Sequence, residues 1–253
     1  MNSTIKRAIK LTALIATLWT QVAFSADHPS SNYPTNFPPP AQLHYSIKAD
    51  RSGLTLVGEA NVNWQLSGAT ANQTYSITTE TRAAIFGKIL EANSRGAIDT
   101  FGLAPDLYEE KPRNKPPTQT HFNRDSKLIS FTDPGETYPI KGGEQDRTSI
   151  VWQLVSMARA APKKFVPKSE WNFFVAGRRD AEKWTFTVDD NVTLNTPMGN
   201  VATVHIVKAP PPDSKDQRLD IWLAPSLEWY PVRLKFSDAD GDTIDQNLDQ
   251  IKH

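Results

Sequence analysis

Hydrophobic and polar residues alternate with a period of two along most of the chain after residue 41. Leu43, Tyr45 and Ile47 alternate with polar neighbours, and a longer run of the same kind covers residues 54–64. Successive side chains of a β-strand point to opposite faces of its sheet, so this alternation predicts antiparallel strands with a buried face. Further runs that predict strands lie at residues 75–79, 118–124, 127–132, 171–175, 184–188, 192–194, 201–207, 219–223, 232–236 and 244–251.

One segment, residues 146–160, has the period of an α-helix instead. Asp146 or Thr148 can accept hydrogen bonds from the unpaired N–H groups of the first helical turn, and Pro162 ends the helix. The apolar residues of this segment share one helix face, and they are Ile150, Val151, Leu154, Val155 and Ala158. Such a face predicts that the helix packs on the sheet.

These patterns together predict a mainly β fold, namely a curved antiparallel sheet or an open β-barrel with one central amphipathic helix packed on it. No Gly-rich boundary divides residues 41–253, so we expect them to form a single β-rich domain. Tight turns are predicted at Asp133-Pro134-Gly135 and, with exposed charges, at Arg178-Arg179-Asp180.

The first 25 residues have the pattern of a secretory signal peptide. Lys6, Arg7 and Lys10 precede an uncharged run over residues 11–24, and small residues favour cleavage after Ser25. This run is too short and too polar to span a bilayer. We therefore expect a periplasmic or secreted protein with no stable membrane anchor after cleavage.

Residues 26–40 contain five prolines among serine, asparagine and threonine residues. This composition favours an extended, solvated backbone, so it predicts a Pro-rich disordered tether. A second interpretation is that the segment docks on a partner protein.

The charge balance and the absence of cysteine exclude several classes of protein. The chain has 28 lysine and arginine residues against 28 aspartate and glutamate residues, which argues against a protein that binds nucleic acid through its phosphates. Because the chain has no cysteine, it forms no disulfide, has no catalytic thiolate and cannot bind zinc through cysteine.

The short motifs of the common enzyme classes are absent, including Gly-x-Ser-x-Gly, the phosphate-binding loop, His-Glu-x-x-His and Gly-x-Gly-x-x-Gly. The five histidines are dispersed, so they form no helical metal-binding pair. We therefore predict no catalytic residue, no metal ligand and no cofactor, and we expect a protein that is not an enzyme. A hydrolase whose site forms only in three dimensions stays open.

Two sets of acidic residues have alternative interpretations. Asp238, Asp240 and Asp242 resemble the start of a calcium loop, but Thr243 stands where such a loop needs glycine, and a hairpin turn at Asp240-Gly241 explains the same residues. Other carboxylates lie on successive predicted strands, where they form either an acid–base pair or a solvated face with arginine partners. These residues are Glu59, Glu80, Glu91 and Asp99, with Arg82 and Arg95 as the partners.

Aromatic residues give the one positive indication of function. Several tryptophans lie on or beside predicted strands, where a concave sheet could present them to an apolar ligand, and the alternative is ordinary core packing. The candidate ligand-binding residues are Trp184, Phe186, Trp222, Trp229 and, on the predicted helix, Leu154 and Val155.

Two stretches of the second half resemble a known family. Asp-Arg-Thr-Ser at residues 146–149 and the segment 220–236, sharpest from Trp222 to Arg233, resemble the exported bacterial proteins known as domain of unknown function 3108. The resemblance extends over about residues 43–251 and implies a β-rich envelope protein with no established activity. The Trp-Leu-x-Pro and Tyr-Pro-Val-Arg pattern is also similar to the late strands of periplasmic lipoprotein carriers, whose half-barrel holds acyl chains against a helix.

The resulting hypothesis is an exported envelope protein that binds an apolar or amphipathic, lipid-like molecule without catalysis. The alternative is a scaffold or assembly factor that contacts another envelope protein through its sheet edges and its Pro-rich arm.

Overall fold

A computed structural model describes residues 29–69, 72–132, 136–210 and 214–253. It confirms the predicted fold class, because the residues that it describes form one large, curved, unclosed antiparallel sheet with a single α-helix. The predicted signal peptide and the predicted turn at residues 133–135 lie outside the described residues.

The sheet has 15 strands. They are β1 (Ala41–Arg51), β2 (Leu54–Ser67), β3 (Thr74–Ala83), β4 (Gly87–Asp99), β5 (Gly102–Pro112), β6 (Thr118–Asn123), β7 (Leu128–Phe131), β8 (Tyr138–Pro139), β9 (Gln145–Asp146), β10 (Glu170–Ala176), β11 (Ala181–Thr196), β12 (Gly199–Lys208), β13 (Arg218–Leu223), β14 (Pro231–Ser237) and β15 (Thr243–Lys252). Helix α1 covers Ser149–Ala160, and short 3-10 helices cover Pro162–Lys164 and Pro225–Leu227.

The strands follow two meanders that meet in the middle of the sheet. In one direction the order runs from β1 to β8, and in the other it runs from β15 back to β9. The meanders are joined by antiparallel pairing of β1 with β15, while β9 alone pairs in parallel, with β10. The edge strands β8 and β9 are therefore neighbours in sequence although they lie at opposite edges of the sheet.

Side chains join the two edge regions where backbone pairing does not. The hydroxyl of Thr120 in β6 donates a 2.7 Å hydrogen bond to the carbonyl of Gly177, just after β10. The rings of Tyr138 in β8 and Phe174 in β10 have centroids 5.7 Å apart. These contacts belong to a second, smaller apolar cluster, so the curved sheet approaches a barrel without closing its hydrogen-bond ladder.

The antiparallel connections divide the sheet into two ends. At the open end, as we name it, lie the connections β1–β2, β3–β4, β5–β6, β10–β11, β12–β13 and β14–β15. At the other end, which we name the closed end, lie the connections β2–β3, β4–β5, β6–β7, β11–β12 and β13–β14. The two ends differ in what fills the concave side of the sheet.

Helix α1 begins beside the predicted capping residue Asp146. The Asp146 carboxylate accepts hydrogen bonds of 2.8 Å from the backbone N–H groups of Thr148 and Ser149, whereas the Thr148 side chain makes no capping bond. The helix ends at Ala160, and Pro162 opens the following 3-10 turn as the sequence predicts. Most of α1 is buried on several sides, because it lies inside the curve of the sheet.

Helix α1 is too short to fill the whole concave side. Its 12 residues span roughly 18 Å at about 1.5 Å per residue. The 14 residues of β2 span roughly 46 Å at about 3.3 Å per residue. Since the last turn of α1 packs at the closed end, where Arg159 pairs with Glu228, the open end keeps space on its concave side.

Residues 29–40 differ from the disordered tether that their composition predicts. The indole N–H of Trp64 donates to the carbonyl of Pro38, and the hydroxyl of Tyr230 donates to the carbonyl of Pro39. The Tyr33 ring meets the Trp171 ring edge-on, with centroids 5.1 Å apart. The segment therefore covers the closed end, because its aromatic side chains and its proline carbonyls find partners in the domain.

The predicted hairpin turns are confirmed. The backbone N–H of Gly177 donates to the carbonyl of Asp180 between β10 and β11. Between β14 and β15, the N–H of Gly241 donates to the carbonyl of Asp238, and Gly241 has a φ of 87° that favours glycine. This turn, together with the contact of the Asp242 carboxylate with the backbone N–H of Ser52, accounts for the acidic run.

The carboxylates on successive strands pair with basic residues on the sheet surface. Glu80 contacts Arg82 at 3.0 Å and Lys88 at 2.9 Å, and Glu91 also contacts Lys88 at 2.9 Å. Glu59 lies 3.7 Å from Arg82. This arrangement agrees with the solvated charged face among the two interpretations.

Candidate functional site

A cavity of about 400 Å³ lies on the concave side of the sheet at the open end. Its walls come from β1 to β5, β14 and β15, and its floor comes from Thr148, Val151 and Trp152 around the first turn of α1. The cavity therefore occupies the part of the sheet that the short helix leaves unfilled.

The cavity wall is largely apolar. Its apolar residues on the strands are Tyr45, Ile47, Ala49, Val62, Ile89, Leu90, Ala92, Leu234, Phe236 and Ile244. Alternation along each strand explains this lining, since the residues of β1 that face inward are the apolar ones. An apolar wall of this size suits a small ligand with a hydrophobic body.

Two tyrosines bring hydroxyl groups to this wall. The Tyr45 hydroxyl donates a 2.8 Å hydrogen bond to the carbonyl of Pro231, and burial raises the pKa of Tyr45 well above its ordinary value. Burial also raises the pKa of Tyr108, and the negative charge of Glu110 adds to that rise. Both phenols are therefore neutral at physiological pH.

Charged groups lie on the β5 side of the cavity. Glu110 and Arg147 both line it. A carboxylate oxygen of Glu110 lies 3.4 Å from Nε of Arg178, and Arg147 lies 4.0 Å from Asp180. Opposite charges thus balance each other on this side of the cavity.

A buried polar network fixes the helix start beneath the cavity. The Ser94 hydroxyl donates a 2.5 Å hydrogen bond to Asp146, and the hydroxyls of Ser94 and Tyr75 lie 3.0 Å apart. Burial raises the pKa of Asp146 to about 6, despite the hydrogen bonds from Ser94 and the helix N–H groups that favour its charged form. Burial and the charge of Asp146 raise the pKa of Tyr75 as well.

The mouth of the cavity carries exposed apolar side chains. Ile89 and Ile244 line the cavity and are also partly open to solvent. Leu54, Ile85 and Phe86, in the neighbouring hairpins of the open end, are 69%, 79% and 52% exposed. The apolar surface therefore continues from the wall of the cavity to the tips of the hairpins.

None of the six residues proposed from the sequence as ligand contacts lines this cavity. Trp184 and Phe186 pack together in the core on β11, with ring centroids 6.0 Å apart. Leu154 and Val155 are fully buried in the core on α1. Trp229 follows the second 3-10 helix at the closed end, where its ring centroid is 6.3 Å from that of Phe165.

Trp222 lies on the opposite face of β13 from the core residue Ile221. Its ring stacks on His205, with centroids 4.4 Å apart and an interplanar angle of 2°, and the Arg233 guanidinium carbon lies 4.7 Å from its centroid. Although burial alone would raise it, the pKa of the neighbouring Asp220 is lowered to about 2 by hydrogen bonds from His205 and Arg218. These contacts cover Trp222 on the convex side of the sheet.

Sequence patterns missed the residues that form the cavity. Phe236 and Ile244 belong to predicted strands, but nothing in their alternation distinguishes them from core residues. The cavity could have been inferred from the difference in length between the 12-residue helix and the long strands. This difference leaves part of the concave face without a packing partner.

Within the described residues, no group of three or more histidine, aspartate or glutamate side chains is placed to hold a metal ion. No helix of this part of the chain is long and apolar enough to cross a membrane.

Residues 42–249 match the family model DUF3108, which is described as a protein of unknown function. The chain belongs to this family. The match covers every residue that lines the cavity of this DUF3108 protein, so the cavity lies within the family domain. No curated protein sequence matches the DUF3108 chain.

Comparison with solved structures gives matches over most of this DUF3108 protein, and one of them has a TM-score above 0.5. A β-barrel-like protein of domain of unknown function DUF1849 from Brucella abortus is 12% identical, with a TM-score of 0.54 over 86% of this chain and 98% of that chain. An exported protein with a YmcC-like fold from Bacteroides fragilis is 10% identical, with a TM-score of 0.36 over 89% of this chain and 100% of that chain. A protein described as a lipoprotein from Parabacteroides distasonis is 10% identical, with a TM-score of 0.33 over 88% and 99% of the two chains.

Proposed function

We propose that this protein binds an apolar or amphipathic molecule in the cavity at the open end, without catalysis, after export to the periplasm. The observation that carries the proposal is the apolar cavity of about 400 Å³, which opens among exposed apolar hairpin tips. Export rests on the signal-peptide pattern that ends near Ser25.

The volume of the cavity sets the size of the ligand. A methylene group takes up about the volume of a water molecule in the liquid, roughly 30 Å³. The cavity therefore holds one acyl chain of about a dozen carbons. At about 25 cal/mol for each Å² of apolar area buried, a chain that buries a few hundred Å² reaches roughly micromolar affinity after the cost of association.

The scaffold alternative finds less support. It would use the Pro-rich arm to contact another envelope protein, but residues 31–39 make their contacts with this domain. A free arm would have to give up the hydrogen bonds to Trp64 and Tyr230. The cavity needs no such rearrangement in order to be occupied.

Purification of the mature protein from its own periplasm, followed by native mass spectrometry, tests the proposal. We expect a small apolar molecule at about one per chain, released by solvent extraction. Val151→Trp should abolish this occupancy, because Val151 lies in the floor of the cavity and the larger ring fills it.

Val57→Trp is the matched control, since Val57 is 59% exposed on the outer side of β2 and the chemical change is the same. It should keep full occupancy. The proposal would be wrong if the wild-type protein had only the mass of the ligand-free chain and did not bind added dodecanoate or 1-dodecanol.

A further inference from the structure

Lys208 is buried on the concave face of the sheet although it carries a charged group, with only 6% of its surface exposed. Strand register pairs Lys208 with Leu219, Leu219 with Phe236, and Phe236 with Ile244. Directly paired residues point to the same face. Lys208 therefore belongs to the row of side chains that includes Phe236 and Ile244 of the cavity wall.

The Lys208 ammonium has few partners. It donates a 3.3 Å hydrogen bond to the carbonyl of Gln217, a residue that itself lines the cavity. It also lies 4.9 Å from the centroid of the Trp184 ring. An ammonium has three donors, and no carboxylate of the described residues forms an ion pair with Lys208. Burial of a cation without a counter-ion is energetically unfavourable, so binding of an anion at Lys208 would be favourable.

Glu182 of β11 shares a neighbour with Lys208, because both contact Trp184. The indole N–H of Trp184 donates a 2.7 Å hydrogen bond to the Glu182 carboxylate. The Trp184 ring thus binds the carboxylate at its nitrogen and the ammonium over its face. This arrangement leaves the Lys208 ammonium available to a second anion.

We infer that Lys208 binds the oxyanion headgroup of a single-chain amphiphile whose chain occupies the cavity. The inference rests on the proposed function and narrows its ligand to a chain that ends in a carboxylate or a phosphate monoester. The apolar row from Leu219 to Ile244 receives the chain, and the ammonium pairs with the headgroup one hydrogen bond away from the cavity wall.

Displacement of the fluorescent probe N-phenyl-1-naphthylamine by ligands of equal chain length tests the inference. Dodecanoate and dodecyl phosphate should bind about tenfold or more tightly than 1-dodecanol, because a charge-assisted hydrogen bond adds to the same apolar burial. Inorganic phosphate, which has the charge without the chain, should not displace the probe.

Four variants test whether Lys208 causes the preference for anions. Lys208→Met should remove the tenfold advantage of the anions and keep the affinity for 1-dodecanol, whereas Lys208→Arg should keep the advantage. Lys183→Met makes the same chemical change at an exposed position of β11 and should change nothing. Glu182→Gln should leave anion binding equal or tighter, since it removes the competing carboxylate.

The outcomes separate the two proposals. Equal affinity of the wild-type protein for dodecanoate and 1-dodecanol overturns the headgroup site and leaves the apolar binding function in place. An anion preference that survives in folded Lys208→Met also overturns it. Absence of binding by all three chain-bearing ligands overturns both, and the wild-type comparison needs no variant that might misfold.

Discussion

Trp152 of α1 stacks on Trp64 of β2, with ring centroids 4.6 Å apart and an interplanar angle of 12°. Both rings are buried, and Trp152 also forms part of the cavity floor. The indole N–H of Trp64 is in turn bonded to the carbonyl of Pro38 in the N-terminal segment. One stacked pair therefore links the wall of the sheet, the helix that limits the cavity and the segment that covers the closed end.

Trp152→Ala should lower the free energy of unfolding by about 3–5 kcal/mol, as is typical when a large buried aromatic side chain is removed from a core. Urea denaturation followed by circular dichroism measures the change. Val57→Ala, at an exposed position of β2, should change the stability by less than about 0.5 kcal/mol. A loss below about 1 kcal/mol for Trp152→Ala would contradict the role of the stacked pair.

Asp146 should make the stability of the protein depend on pH. Its pKa is about 6 in the folded protein against 3.8 as the ordinary value, so the folded state binds the proton more tightly than the unfolded state does. The stabilisation of the folded state by this bound proton is complete below about pH 4 and is lost as the pH rises through 6. A shift of about two pKa units corresponds to roughly 3 kcal/mol.

Asp146→Asn removes this titration and keeps a carbonyl oxygen for the N–H groups of Thr148 and Ser149. Relative to the variant, the wild-type protein should lose about 3 kcal/mol of unfolding free energy between pH 4 and pH 7. Urea denaturation of both proteins at several pH values measures the difference. A constant difference across that range would show that Asp146 does not bind the proton more tightly in the folded state.

The N-terminal segment should contribute to stability. Tyr33→Ala removes the edge-on contacts with Trp171 and Phe173, so we expect a loss of about 1–3 kcal/mol in the free energy of unfolding. Limited proteolysis should then cut within residues 29–40 more quickly than in the wild-type protein. The exposed neighbour Asn32 gives a control, since Asn32→Ala should leave both measurements unchanged. Equal cleavage rates for the two variants would indicate a segment that does not pack on the domain.

Local patterns were sufficient to predict the helix and most of the strands, although β4 and β5 were not among the predicted strands. Leu43, Tyr45 and Ile47 alternate because each inward position of β1 is buried, and this property is visible in the sequence alone. Helix α1 was predicted for the same reason, from its apolar residues and from the Asp146 cap. The pairing of β1 with β15 joins residues about 200 positions apart, and alternation does not specify such a partner.

The cavity and the N-terminal segment depend on what local patterns do not contain. The cavity exists because α1 is shorter than the strands and does not extend to the open end. The residue pattern of a single strand does not contain this difference in length. In residues 29–40 the proline content predicts a solvated chain, but Tyr33 and Phe37 are enough to attach it. Two aromatic residues change the composition of a segment very little, but each buries a large area when it packs on the domain.

Trp222→Leu should separate stability from ligand binding. The Trp222 ring lies between His205 and Arg233 on the convex face, so its loss should lower the free energy of unfolding by about 1–3 kcal/mol. Since Trp222 does not line the cavity, the affinity for dodecanoate should stay within about twofold of the wild-type value. The same probe-displacement assay, with Val151→Trp as the variant that loses binding, measures this. A large loss of affinity in folded Trp222→Leu would instead place the ligand on the convex face, against the cavity proposed here.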